Sequence, residues 1–382
     1  MSRRRPATVW TLQTRALAIS GVGSHGERVV RQVHRTDVPH PRFLAQPKKC
    51  AVLGAPMTWG QPKMGTDNGP SMLRQAGLDA TLKKLGWIPE DLGDLVISQP
   101  AATDPQGDPD LIFQMKNCYA VGKGCEQVFR SVAQQAADGK FVLTLGGDHS
   151  IGAGTVAGIL KARPDTGIIW VDAHADINTP TVSESGNIHG MPVAFLMHLI
   201  DPLKYPGWEW LAEIPSLHPQ QLVYIGLRDV DAAERIILRD LGFFPSPPFL
   251  SGDTGVTHHV SPLSGRGHDA GIKCYTMQHV DKYGIGRVME MTMEHLKGRP
   301  LHCSYDIDGV DPAVAPSTGT TVRGGLTFRE AHYVVEAASE SGNLGSLDMV
   351  EVNPDLGSFE DNAHTVEMGL ALISSALGSR IL

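Results

Sequence analysis

Seven short, largely apolar runs recur between residues 50 and 352, and stretches patterned like helices separate most of them. The runs at 50–53, 141–145, 168–172, 222–225, 272–275, 301–305 and 347–352 lack the strict apolar–polar alternation of a strand with one wet face. Each therefore reads as a strand buried on both sides. Strands of that kind alternating with helices dictate a mostly parallel sheet covered by helices on both faces, a single three-layer α/β/α domain. The clearest helix is predicted to start at Pro70, a favoured first-turn residue. It would place Met72, Leu73, Ala76 and Ala80 on one side and stop at Gly86.

Charge is distributed unevenly. Residues 1–50 hold ten of the 33 basic residues but only two of the 41 acidic ones, Glu27 and Asp37, so the net charge of −8 conceals a far more acidic body. Such a body repels nucleic acid and attracts metal ions or a cationic substrate. No apolar run approaches the roughly 20 residues of a membrane-spanning helix. Residues 1–47, Arg-rich and acid-poor, have the composition of an organelle-targeting peptide and equally of a disordered basic tail, so a cytoplasmic and a mitochondrial location both stay open. They are set apart from a domain expected over 48–382. The Pro- and Gly-rich segment at about 244–270 reads as an inserted surface loop, with His258 and His259 facing solvent. Five scattered cysteines without a CxxC pair suggest neither a disulfide framework nor a zinc knuckle, and fit a reducing compartment.

Chemistry concentrates where three of the strand-like runs end. The run at 167–171 leads into Asp172-Ala173-His174-Ala175-Asp176, that at 301–305 into Asp306-Ile307-Asp308, and that at 141–145 into Gly146-Gly147-Asp148-His149-Ser150. If the chain stays extended through 172–176, the i, i+2, i+4 spacing puts Asp172, His174 and Asp176 on one side. A parallel sheet binds its ligands at the carboxyl edge of its strands, where these residues lie. A lone DxD or GGD is ordinarily a turn or a helix cap. Six such side chains after three strands are another matter, because four clustered carboxylates cannot all ionise without counter-cations. Carboxylates with two imidazoles and no thiolate suit manganese better than structural zinc. Six ligands suit two ions, which about 3.5–4 Å apart can hold a nucleophilic hydroxide between them.

At these residues the chain resembles the ureohydrolases, the arginase and agmatinase family, through GGDHS at 146–150, DAHADINTP at 172–180, SYDIDGVDP at 304–312, GAPMTWGQPKMGTDNGP at 54–70 and EVNP at 351–354. The resemblance implies a parallel eight-stranded sheet and two Mn2+ per subunit. One ion would take His149, Asp172, Asp176 and Asp306, the other Asp172, His174, Asp306 and Asp308. It further implies a substrate, L-arginine, hydrolysed to L-ornithine and urea by a metal-bridging hydroxide that attacks the guanidinium carbon. Asn178, Ser183, Ser185 and Asn187 in the loop after DAHAD would receive the α-carboxylate. Asp231, supported by Asp229 and Glu234, would receive the α-ammonium, although acids there also suit a helix N-terminus. Glu351 would pair with the guanidinium. Asp176 would handle the hydroxide proton, His189 would protonate the leaving amine, and Thr320 would donate to the intermediate. A homo-oligomer, trimer or hexamer, is the family expectation.

Three other readings compete. Agmatinase or guanidinobutyrase activity would leave Asp231 or the 178–187 loop without a role. A non-catalytic regulatory protein on the same fold would not need an intact ligand set. A two-metal phosphatase would need basic residues clustered near the motifs, and none is found.

Overall fold

In the strand Gly167–Val171, side chains alternate between two interiors: Ile168 and Trp170 enter one apolar core, Ile169 and Val171 the other. The next strand repeats the division, with Leu222 and Tyr224 on the first side and Val223 and Ile225 on the second. Both faces are dry, so both alternating sets must be apolar, and each fully buried Ile or Val contributes about 1.5–3 kcal/mol. This computed structural model describes residues 41–99, 114–242 and 271–380. Most of the 1–47 extension and all of the 244–270 segment, with His258 and His259, lie outside the described residues.

The described residues form one eight-stranded, wholly parallel sheet. Its strands are β1 (Lys49–Ala55), β2 (Ile88–Asp94), β3 (Phe141–Gly146), β4 (Gly167–Val171), β5 (Leu222–Leu227), β6 (Lys273–Thr276), β7 (Leu301–Asp306) and β8 (Leu344–Val350). They lie in the order β2-β1-β3-β8-β7-β4-β5-β6. Helices α3 (Cys118–Ala137), α4 (Gly152–Ala162) and α5 (Pro192–Leu196) supply the first core. The second takes α1 (Gly69–Gln75), α2 (Leu78–Lys84), α7 (Met277–His295), α8 (Phe328–Glu340) and α9 (Phe359–Ala376). Between them falls α6 (Ala232–Asp240), whose Leu238 joins the first core. No described helix is long and apolar enough to cross a membrane. All five cysteines are buried and free.

Two expectations need correction. The eighth strand, β2, was not among the seven apolar runs: its sequence Ile-Pro-Glu-Asp-Leu-Gly-Asp is largely exposed, because it is an edge strand paired only through β1. Pro and charge are characteristic of sheet edges, where they discourage further pairing. The helix expected from Pro70 to Gly86 is broken in two at Ala76–Gly77, where Gly77 has φ 100°. The break rotates the second half, so that Leu73, Leu78 and Leu82 are buried while Ala76 and Ala80 face solvent.

The sheet order positions the site. The chain passes from β3 to β4 across two empty places that β8 and β7 later fill. Ligands bind where strand order breaks in this way, beyond the carboxyl ends of the strands. Those ends carry His149, Asp172, Asp306 and Glu351.

Candidate metal centre

Each donor is set by a local device at a strand end. After β3, Gly147 presses against Met57, whose carbonyl a Cβ would strike, so this position admits only glycine. Asp148 then caps a short 3-10 turn, His149–Ile151, by accepting from the Ser150 N–H at 3.0 Å, and also accepts from the Gly60 N–H at 2.8 Å. The turn points His149 inward, where its ring stacks on Trp170 at 4.1 Å between centroids. After β7, Asp306 caps the turn Ile307–Gly309 through the Asp308 N–H at 2.8 Å, which brings Asp308 alongside it.

The segment after β4 is not extended as expected. The strand stops at Val171, the chain bends at Ala173 and His174, and Asp176 adopts φ 51°. The three side chains still converge, but through a bend and a left-handed residue and not through strand alternation. Glu351, just past β8, also has a positive φ, 63°. A left-handed conformation in a non-glycine residue costs about 1–3 kcal/mol and persists where surrounding structure enforces it. Two of the five such residues among the described ones, Asp176 and Glu351, fall at the site.

The resulting cluster has two lobes. Around His149 Nδ1 lie Asp172 Oδ2 at 3.0 Å, Asp176 Oδ2 at 3.2 Å and Asp306 Oδ2 at 3.2 Å. Around His174 Nδ1 lie Asp308 Oδ2 at 3.1 Å and Asp172 Oδ1 at 3.3 Å. Asp172 thus offers one oxygen to each lobe. His149, Asp172 and Asp176 form one group of converging donors, and Asp172, His174 and Asp308 the other. All but His174 are almost wholly buried.

The electrostatics of the bare cluster are unbalanced. Burial, then the charge of Asp172, pushes Asp176 up to about 7. Burial with Asp308 and Asp172 pushes Asp306 well above the carboxylate range, and Asp308 is raised by burial and Asp172. Burial would raise Asp172 too, but His149 and His174 hold it well below its ordinary value. Burial opposes charge on His149 and His174, yet the surrounding carboxylates raise both, Asp172 foremost for His149 and Asp308 for His174. Protons stand in for missing positive charge, and this donor set fits divalent cations as their replacement.

Several partners of the cluster were not foreseen. Ser304 Oγ lies 3.0 Å from His149 Nε2, and Trp170 Nε1 donates to Asp172 Oδ2 at 3.0 Å. Gln61 Nε2 donates to Glu351 Oε2 at 2.5 Å. Gln61 and Ser304 lie inside motifs already quoted, but no feature of the residues beside them in sequence marks their role. Glu351, fully buried, also accepts from the His149 N–H at 2.8 Å and has His189 Nδ1 at 3.4 Å. Burial would lower His189, but Glu351 raises it.

The structure places the remaining expected residues as follows. Asp231 caps α6, accepting from the Glu234 N–H at 2.9 Å, while Glu234 accepts from the Asp231 N–H at 3.2 Å. Burial, then Asp176, raises Glu234 to about 8. Asn178 donates to Asp231 Oδ2 at 2.6 Å and keeps one N–H for another acceptor. Ser183 and Ser185 each accept from a backbone N–H within the loop, from Gly186 at 3.1 Å and Asn187 at 3.2 Å. Their own O–H groups stay available. Asp229 is more remote, with Oδ2 3.9 Å from His174 Nε2. Thr320, expected to donate to a reaction intermediate, instead donates to Asp308 Oδ2 at 2.7 Å, an acceptor already beside it. A cleft of about 280 Å³ opens over His174, His189, Asn187, Asp229 and Thr320.

A family model described as the Arginase family matches residues 48–245 and 259–378. This chain belongs to the arginase family. Among relatives, it is 43% identical to an arginase of Glaciozyma antarctica over 89% of this chain and 90% of that protein. It is 40% identical to human arginase-1 over 87% of this chain and 94% of that one. Among solved structures, the arginase from Bacillus caldovelox matches with a TM-score of 0.74 at 37% identity, covering 88% of this chain and all of that one. Membership in the arginase family gives the two-lobed cluster its chemical context, a hydrolase.

Proposed function

We propose that this chain is an arginase, hydrolysing L-arginine to L-ornithine and urea with two manganese ions. The observation that carries the reading is Asp172, which offers one oxygen to each lobe and so links the two positions. His149, Asp172, Asp176 and Asp306 would hold one ion; Asp172, His174, Asp306 and Asp308 the other. When bound, such a pair would supply Lewis acidity, which makes water acidic enough to act as a nucleophile near neutral pH. Carboxylate-rich ligation without thiolate favours manganese over zinc.

The chain's own residues do the rest. Glu351, held from three sides, pairs with the guanidinium and keeps its carbon over the cluster. Asp176, whose carboxylate faces the same lobe as His149, accepts the proton that the attacking water gives up. His189, its pKa raised mainly by Glu351 against the effect of burial, carries a proton toward the departing amine nitrogen. Asp231 meets the α-ammonium, and the free N–H of Asn178 with the hydroxyls of Ser183 and Ser185 meets the α-carboxylate. Urea release from L-arginine, agmatine and 4-guanidinobutyrate side by side, with metal content measured, tests this. Preference for agmatine or guanidinobutyrate would overturn the substrate assignment and leave the metal chemistry standing.

Metal loading should release protons. In the metal-free protein His149, His174 and Asp306 all have raised pKa values, so the bare cluster holds protons more tightly than these groups would in water, and a bound cation must displace them. Manganese affinity should therefore rise with pH and fall on acidification. Calorimetric titration in buffers of different ionisation enthalpy reads the released protons directly; a buffer-independent heat would contradict the expectation.

A further inference from the structure

Among the described residues lining the cleft, Lys63 is the only Lys or Arg. It is held at both ends. Its backbone carbonyl, with that of Met64, accepts from Asn353 Nδ2, two residues beyond Glu351. Its ammonium donates to the carbonyl of Gly319, next to Thr320. The side chain thus reaches between two segments of the cleft wall, and its ammonium keeps two further N–H donors.

A fixed cation is out of place beside a cleft built for a guanidinium, unless the far end of the substrate is an anion. The neighbouring wall is made of donors too. Lys116 Nζ lies 3.4 Å from Asn187 Oδ1, and because an ammonium can only donate, Asn187 is left with its N–H pair for an acceptor. Asn187 lines the same cleft as Lys63.

We propose that Lys63 is a specificity-determining residue, whose ammonium attracts the outer carboxylate of the substrate and repels a substrate that ends in an ammonium alone. The proposal rests on the L-arginine reading and adds to it the group that rejects the decarboxylated analogue. Rejection by like charge discriminates more sharply than an added attraction by itself.

The test uses the full-length, manganese-loaded enzyme with Lys63→Gln and Lys63→Arg, metal content being measured on each. The ratio of kcat/KM for L-arginine to that for agmatine should fall about 10-fold in Lys63→Gln, the loss of a hydrogen bond to a charged group. The loss should appear in KM, fall on 4-guanidinobutyrate, which keeps the carboxylate, as it does on L-arginine, and be largely recovered in Lys63→Arg. Binding of L-ornithine against putrescine, read by calorimetry, should shift the same way without turnover. An equal fall for all substrates would reduce Lys63 to a strut on Gly319, and an unchanged ratio would leave it without a role; either overturns the proposal. A wild-type enzyme that prefers agmatine would instead defeat the substrate reading beneath it.

Discussion

Asp172→Asn is expected to empty both metal positions at once. Its two oxygens face different imidazoles, at 3.0 Å from His149 and 3.3 Å from His174, so neither lobe keeps its donors when the charge is removed. The side chain is wholly buried and also accepts from Trp170 Nε1 and the His174 N–H. The asparagine amide would turn an N–H toward at least one of these donors. Loss of an outer partner typically costs 10–100-fold in metal affinity, and loss of a shared ligand should exceed roughly 100-fold. Metal analysis after gel filtration gives the measure, alongside turnover. Retention of one ion per chain would show that the lobes fill independently, and retention of both would remove Asp172 from the ligand set.

Glu351→Gln should separate binding from metal. Glu351 lies next to the cluster but contacts it through the His149 N–H rather than through a metal-facing oxygen. Metal content should therefore stay near that of the parent enzyme. Turnover should not, because an unpaired guanidinium in a buried site forfeits about 2–5 kcal/mol, or roughly 30- to several-thousand-fold. The amide also cannot accept from both His149 N–H and Gln61 without turning a donor on one of them. A parallel fall of metal and activity would assign Glu351 to the cluster instead of the substrate.

The interior strands were legible because burial on both faces favours apolar residues at most positions, as in Ile168-Ile169-Trp170-Val171. β2 was not, because an edge strand is selected for the opposite properties. The break at Gly77 was hidden since Ala76 and Ala80 satisfy helical spacing whether or not they are buried. At the site, residue types announced the convergence of His149, Asp172, His174, Asp176, Asp306 and Asp308. The route was misread at 172–176, because spacing says nothing about a left-handed Asp176, a conformation imposed by tertiary packing and not by local preference. Gln61 and Ser304 went unremarked for a related reason: an uncharged polar side chain acquires meaning only from the partner that folding brings to it.

The place of β8 carries a consequence for biosynthesis. The last strand in sequence sits in the middle of the sheet, between β3 and β7. It alone links them, and without it His149 has no fixed relation to Asp306 and Asp308. A chain that lacks it can still bring Asp172, His174 and Asp308 together, because β4 and β7 pair directly, but it cannot fix His149 against Asp172 and Asp306. The lobe around His149 therefore waits for the final strand, and a product truncated before it would keep at most the donors of the lobe around His174.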